Sequence, residues 1–151
     1  MNDADPLAER NTRAHQYLQE GRDDLAIPLF EEVLADRVRV LGADHPDTIA
    51  SRGNLASAYY AAGRLGEAIT LFEEVLVDSV RVLGEDHPHT LASRGSLAAA
   101  YQAVGRLGEA IALYEQVLAD RVRVLGEDHP HTLASRNNLA HAYQAAGRLD
   151  E

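Results

Sequence analysis

The chain of 151 residues contains no cysteine, no lysine and no tryptophan, and only 5% of its residues are aromatic. Without cysteine it forms no disulfide bond, no thiolate zinc site and no dithiol redox centre. Its few aromatic rings provide no stacking platform for single-stranded nucleic acid. No apolar stretch approaches the roughly 20 residues that span a bilayer, and the N-terminal segment lacks the regions of a secretion signal. We therefore expect one cytoplasmic domain, residues 1–151.

Positive charge is also scarce. The 14 basic residues, all arginine, are outnumbered by 24 Asp and Glu, and the formal net charge is −10. Such a charge repels phosphate backbones and anionic membranes, so we expect no nucleic-acid partner and no membrane partner. The expected partner is a protein or peptide that is neutral or basic rather than acidic.

The dominant feature of the sequence is an internal repeat of 42 residues. Residues 45–86 and 87–128 are identical at 31 of 42 positions without a gap, and residues 129–148 match 87–106 at 16 of 20. Each repeat contains two helical patterns, which we call helix A and helix B. In the second repeat Pro46 opens helix A, Gly63 ends it, and helix B runs from about Leu65 to Leu83. The turn between the helices is so short that they must form an antiparallel hairpin.

This pattern predicts an all-α protein of seven helices in about three and a half repeats. The last helix A has no helix B after it. The predicted divisions are an N-terminal capping helix A (1–22), the first helix B with its loop (23–44), the second repeat (45–86), the third repeat (87–128) and the unpaired final helix A (129–151).

The repeat resembles a known family. The tetratricopeptide repeat signature is matched by the spacing of Leu55, Ala56, Tyr59, Gly63, Ala68, Phe72 and Val75, and again from Leu97 to Val117. The 42-residue period and the LGxDHPxT segment between repeats are similar to the kinesin-light-chain type. The resemblance implies an α-solenoid, a right-handed superhelix of antiparallel helix-turn-helix repeats, that serves as a noncatalytic protein-interaction scaffold. The composition, rich in Ala and Arg and free of Lys, indicates a bacterial source.

The differences between repeats fall mainly on one stripe of helix A. Residues 53, 57 and 60 lie at i, i+4 and i+7, about 160° from the core face of the helix. The resemblance implies that this stripe lines a concave groove and that Asn54 and Asn138 bond to the ligand backbone. Amide side chains suit an extended peptide, and small residues such as Gly95 leave room for a bulky side chain. The predicted peptide-binding residues, here called the helix A surface, are Asn11, His15, Leu18, Gly53, Asn54, Ser57, Tyr60, Ser96, Ala99, Gln102, Asn137, Asn138, His141 and Gln144.

Two alternative functions remain open from the sequence. In the first, the unpaired final helix A makes the chain a self-assembly module, a two-fold dimer or a head-to-tail stack, through Leu139, Tyr143 and Leu149. In the second, the repeats are the sensor arm of a larger signalling ATPase or regulator.

Two residue patterns could indicate a chemical site. His87, His89, His129 and His131 repeat beside aspartates, which are metal-ligand types. The proline between the two histidines of each loop works against convergence on one ion, so capping of helix A by Asp44 or His45 and their equivalents is the simpler interpretation. The second pattern is an arginine on the core side of every helix A, which we expect to pair with a helix B carboxylate. These arginines are Arg10, Arg52, Arg94 and Arg136.

Catalytic motifs are absent from the sequence. It has no cysteine nucleophile, no glycine-rich phosphate loop and no HExxH motif. We therefore expect no enzyme activity, no metal and no cofactor.

Overall fold

The computed structural model describes residues 6–147, which form seven helices and no strand. The helices are α1 (Pro6–Gln19), α2 (Asp23–Leu41), α3 (Pro46–Ala61), α4 (Leu65–Leu83), α5 (Pro88–Ala103), α6 (Leu107–Leu125) and α7 (Pro130–Ala145). Helices α1, α3, α5 and α7 are the predicted helices A, and α2, α4 and α6 are the helices B. Leu149, one of the predicted self-association residues, lies outside the described range.

Helices α3, α5 and α7 begin in the same way. Each has proline at its first turn, where the missing N–H would have no intrahelical partner. The histidine before it is the N-cap: Nδ1 of His45 accepts a hydrogen bond of 3.0 Å from the backbone N–H of Asp47. His87 and His129 cap α5 and α7 with the same distance, 3.0 Å. The predicted capping role is confirmed, and the histidine performs it.

A tight turn joins helix A to helix B. Gly63 has a φ of +78°, and the backbone N–H of Arg64 donates to the Tyr59 carbonyl at 2.8 Å, which closes the end of α3. The Arg64 guanidinium lies 4.5 Å from the centroid of the Tyr59 ring and makes two hydrogen bonds of 2.7 Å to the Glu67 carboxylate in the first turn of α4. The arrangement recurs at Gly105, Arg106, Tyr101 and Glu109.

The helices form two compact units, residues 1–78 and 79–151, divided within α4. In the first unit α2 packs against both α1 and α3, and in the second α6 packs against both α5 and α7. Large buried apolar side chains fill each core, and each contributes roughly 1.5–3 kcal/mol. They include Phe30, Val33, Ile49 and Leu55 in the first unit and Leu91, Leu97, Tyr114 and Val117 in the second. None of the described helices is long and apolar enough to cross a membrane.

A partly or fully buried arginine joins helix A to helix B in each hairpin. Nη1 of Arg94 in α5 donates to Oδ2 of Asp120 in α6 at 3.1 Å, and the Arg94 side chain is only 5% exposed. Each partner aspartate follows its arginine by 26 residues. The other two are Arg52–Asp78 at 2.8 Å and the more exposed Arg10–Asp36 at 3.1 Å. Arg136, the fourth of these arginines, makes no ion pair within the described residues, and three of the four predicted structural ion pairs are confirmed.

We expect loss of Arg94 to destabilise the protein far more than loss of Arg10. Arg94→Ala leaves the mostly buried Asp120 carboxylate with only the exposed Arg123, and breaking a buried pair costs about 3 kcal/mol. Arg10→Ala breaks a half-exposed pair worth about 1 kcal/mol or less. Urea denaturation followed by circular dichroism measures both free energies of unfolding. Equal losses of unfolding free energy in the two variants would contradict the prediction that the buried ion pair stabilises the protein more than the half-exposed one.

Candidate functional site

In the first unit the helix A surface is formed by α1 and α3. Nδ2 of Asn54 donates to Oδ1 of Asn11 at 3.4 Å, so the structure brings these two predicted residues together. Ser57 and Tyr60 are exposed one turn apart on α3, with 39% of Tyr60 accessible. The pair of amides and the accessible phenol ring provide both polar and apolar contacts for a ligand.

His15 on α1 has a packing contact in addition to its predicted position on this surface. Its ring meets the ring of Phe30 edge-on, with 5.0 Å between centroids. Phe30 is buried in the core of the first unit. Exposed His15 therefore covers part of the core, and the half-buried Leu18 follows it one turn later on α1.

In the second unit the helix A surface is formed by α5 and α7. The side-chain amide groups on these helices make no hydrogen bond within the part of the chain that the structure describes. Each can therefore donate to and accept from the backbone of a bound peptide. The predicted residues are Ser96, Ala99 and Gln102, half-buried on α5, and Asn137, Asn138, His141 and Gln144, exposed on α7.

Two glycines in the interior of helices A are not required by packing. A methyl group on Gly95 would meet no atom within 4 Å, and one on Gly53 would lie 3.9 Å from Cγ1 of Val75, an ordinary contact. Glycine in a helix interior is about 1 kcal/mol less favourable than alanine. Intramolecular packing therefore does not explain why glycine occupies these positions, and the space above Gly95 is open.

The predicted self-association residues contact their own unit. Leu139 is buried, and Oη of Tyr143 donates to Oε1 of Glu115 in α6 at 3.1 Å. The large apolar side chain that α7 exposes is Leu133, which the sequence analysis did not select. Its equivalent in α5, Leu91, is buried, and so the repeat pattern by itself indicates a core residue at this position.

The loop histidines form stacked pairs. The rings of His129 and His131 lie 5.1 Å apart between centroids, and those of His87 and His89 lie 5.5 Å apart. Nδ1 of His87 and of His129 is occupied by the capping hydrogen bond. Within residues 6–147 no group of three or more His, Asp or Glu side chains is arranged to hold a metal ion.

Asp86, in the loop before α5, forms an ion pair with Arg123 near the end of α6. Nη2 of Arg123 donates to Oδ1 of Asp86 at 2.6 Å, and Nη1 donates to Oδ2 at 3.0 Å. These charge-assisted hydrogen bonds favour the carboxylate and hold the pKa of Asp86 below its usual 3.8. They raise the pKa of Arg123, so the ion pair persists across the neutral range.

We expect the stability of the protein to depend on the ionisation of Asp86. Because its pKa is lower in the folded state than in the unfolded state, its contribution is present above the unfolded-state pKa and is lost as pH falls through the folded-state pKa. Asp86→Asn should therefore lower Tm at neutral pH, and the difference from the parent chain should disappear as pH falls through the folded-state pKa of Asp86. Thermal melts at a series of pH values measure this.

The matched control for that measurement is Asp128→Asn. Asp128 occupies the equivalent position one repeat later, is exposed, and makes no ion pair within the described residues. Its replacement should leave Tm unchanged at every pH. A pH-independent loss of Tm in Asp86→Asn would contradict the role assigned to the ion pair.

Comparison with known protein families matches most of the chain to models of one kind of repeat. Family models described as tetratricopeptide repeat match residues 7–77, 90–131 and 132–151. The search of curated proteins found no significant match.

Several solved structures share this arrangement of helices. A Podosopora anserina protein, described as a kinesin light chain with nearly identical TPR-like repeats, has a TM-score of 0.87 at 42% identity, over 94% of this chain and 67% of that chain. BtubC (BKLC) from P. vanneervenii has a TM-score of 0.85 at 22% identity, over 99% of this chain and 61% of that one. The first TPR domain of human RPAP3 has a TM-score of 0.65 at 21% identity, over 95% and 94% of the two chains. The last two show a common fold alone.

Proposed function

Since the chain belongs to the tetratricopeptide repeat family, we propose that its helix A surface binds an extended peptide segment of a partner protein. Tetratricopeptide repeats are protein-interaction scaffolds, and the chain is a scaffold of this kind. We infer that it has no catalytic activity and that its ligand is neutral or basic, because the formal net charge of the protein is −10.

The observation that supports the proposal best is a set of side-chain amides on α5 and α7 that have no hydrogen-bond partner within the described residues. The side-chain amides of Gln102, Asn137, Asn138 and Gln144 make no hydrogen bond within the described residues, although every one can donate and accept. Such groups satisfy the N–H and C=O groups of an extended backbone whatever its side chains. Specificity then depends on the side chains that enter the free space above Gly95.

Substitution of Gly95 separates binding from folding. Gly95→Ala should raise the free energy of unfolding by roughly 0.5–1 kcal/mol, because alanine favours the helix and meets no atom within 4 Å. Gly95→Leu fills the space that the peptide side chain needs and should lower peptide affinity at least about tenfold. Peptides selected from a displayed random library on the parent chain are the probe, and fluorescence anisotropy measures their affinity.

Gly108→Leu is the matched control for this experiment. Gly108 lies near the start of α6, on a helix B, and a methyl group added there would also meet no atom within 4 Å. Its replacement should leave peptide affinity unchanged. Loss of affinity in Gly108→Leu but not in Gly95→Leu would contradict binding on the helix A surface.

A second candidate function, self-association, is favoured by the exposed face of α7. Leu133 is 47% exposed, whereas Ile49 and Leu91 at the equivalent positions are each 2% exposed. Arg136 on the same helix is exposed and has no ion pair within the described residues, whereas Arg94 is buried against Asp120. A second copy of the chain that covers this face would bury Leu133 and provide a carboxylate to Arg136.

Light scattering over a hundredfold range of protein concentration tests this candidate. Self-association predicts a mass that rises above the 16.4 kDa of one chain, and Leu133→Glu should return it to that value because a charge at a buried interface is costly. Val77→Glu, at a residue of α4 that is 65% exposed, is the control and should not change the mass. A constant monomer mass for the parent chain would reject self-association and leave peptide binding unaffected.

A further inference from the structure

The second unit contains a cavity distinct from the helix A surface. Its volume is about 400 Å³, which lies within the roughly 300–1,000 Å³ of ligand pockets. The cavity lies where the start of α5, the end of α6 and the start of α7 meet, and none of its lining residues belongs to the helix A surface. Its walls are mainly apolar and include Pro88, Leu91, Val124 and Leu125.

Arg121 brings a positive charge without a counter-ion to this cavity. Its Nη1 donates to Oγ of Ser135 at 2.8 Å and to the backbone carbonyl of His131 at 3.4 Å, and both acceptors are neutral. Its Nε and Nη2 groups make no hydrogen bond within the described residues. Partial burial lowers the pKa of Arg121, as expected for a cation that no carboxylate compensates. By contrast, Arg94 and Arg123 in the same unit each pair with an aspartate.

The other polar groups that line the cavity also favour an anion. Nδ1 of His129 accepts the capping hydrogen bond, so the neutral ring carries its proton on Nε2 and is a donor there. His89 and His131 add two more imidazoles. The single carboxylate in the lining, Asp86, accepts from Arg123 through both oxygens, which neutralises its charge.

This combination of residues occurs once in the chain. One repeat earlier, the positions equivalent to His89 and Arg121 are occupied by Asp47 and Ser79. Two repeats earlier the equivalent of Arg121 is Arg37, which makes the same structural bonds, to Oγ of Ser51 at 2.7 Å and to the carbonyl of Asp47 at 3.5 Å. Asp47 stands to Arg37 as His131 stands to Arg121, so the structural role of this arginine does not require a histidine at that position.

We propose that this cavity binds a small apolar monocarboxylate, with the carboxylate on Arg121 and the hydrocarbon against Leu91, Val124 and Leu125. The ligand's charge compensates the partly buried guanidinium, and its hydrocarbon covers the apolar walls. The site is independent of peptide binding on the helix A surface, because the two sets of residues do not overlap.

Hexanoate is the probe, in an NMR titration of the whole chain followed by ¹H–¹⁵N spectra. The amide signals of Leu91, Val124 and Leu125 and the Nε–H signal of Arg121 should shift together. Affinity should rise from acetate to hexanoate by up to about fourfold per methylene. Hexanamide, which has the same shape without the charge, should bind at least about tenfold more weakly.

Two arginine variants separate the ligand contact from the structural bonds. Arg121→Gln should lower hexanoate affinity at least about tenfold, and Arg121→Lys, which keeps the charge, should recover part of it. Arg37→Gln loses the equivalent bonds to Ser51 and Asp47 and should bind hexanoate like the parent chain. Circular dichroism confirms that each variant is folded.

Three outcomes would overturn the proposal. In the first, hexanamide binds as tightly as hexanoate, which would mean that charge is not recognised. In the second, the shifted signals cluster on the helix A surface. In the third, a peptide with a C-terminal leucine carboxylate binds in the cavity while hexanoate does not, which would assign the site to a protein terminus instead of a small acid.

Discussion

The ion pair between helix A and helix B is the contact on which the geometry of each hairpin depends. A guanidinium as buried as that of Arg94 is stable only beside a carboxylate, and in all three ion pairs the carboxylate lies 26 residues further along the chain. That separation sets how helix A lies along helix B. With this face of helix A turned inwards, the stripe that contains Ser57 and Tyr60 is left exposed.

Near-identical repeats in this protein do not have identical surroundings. Leu91 is buried and its equivalent Leu133 is exposed, although the sequences around them hardly differ. Arg121 pairs with a serine hydroxyl, whereas the residue one repeat earlier is Ser79, whose buried hydroxyl finds no partner in the described residues. Function in such a protein is therefore sought at the positions where one repeat departs from the next. The cavity beside Arg121 and the open space above Gly95 are two such places.

The helix boundaries could be predicted because their signals are local. The prolines and histidines that open α3, α5 and α7 act within one turn, and so do the glycines that end the helices. The candidate site was predicted less completely. Helical spacing identifies which residues share a stripe, but it does not reveal that Asn54 bonds to Asn11 or that His15 packs on Phe30. Those contacts join residues of different helices, and spacing along one helix contains no information about its neighbour.

The sequence by itself determined that the chain is all-α, that it repeats every 42 residues, and where its helices begin and end. It also determined the family, because the signature residues are the ones that pack one helix of a hairpin on the other. The tertiary structure decided which aspartate neutralises each buried arginine, which side-chain amides make no hydrogen bond within the described residues, and where three helix ends line a cavity. The reason is physical. Backbone conformation and amphipathic pattern act over one or two turns, whereas burial and charge compensation depend on side chains that approach only when the helices pack.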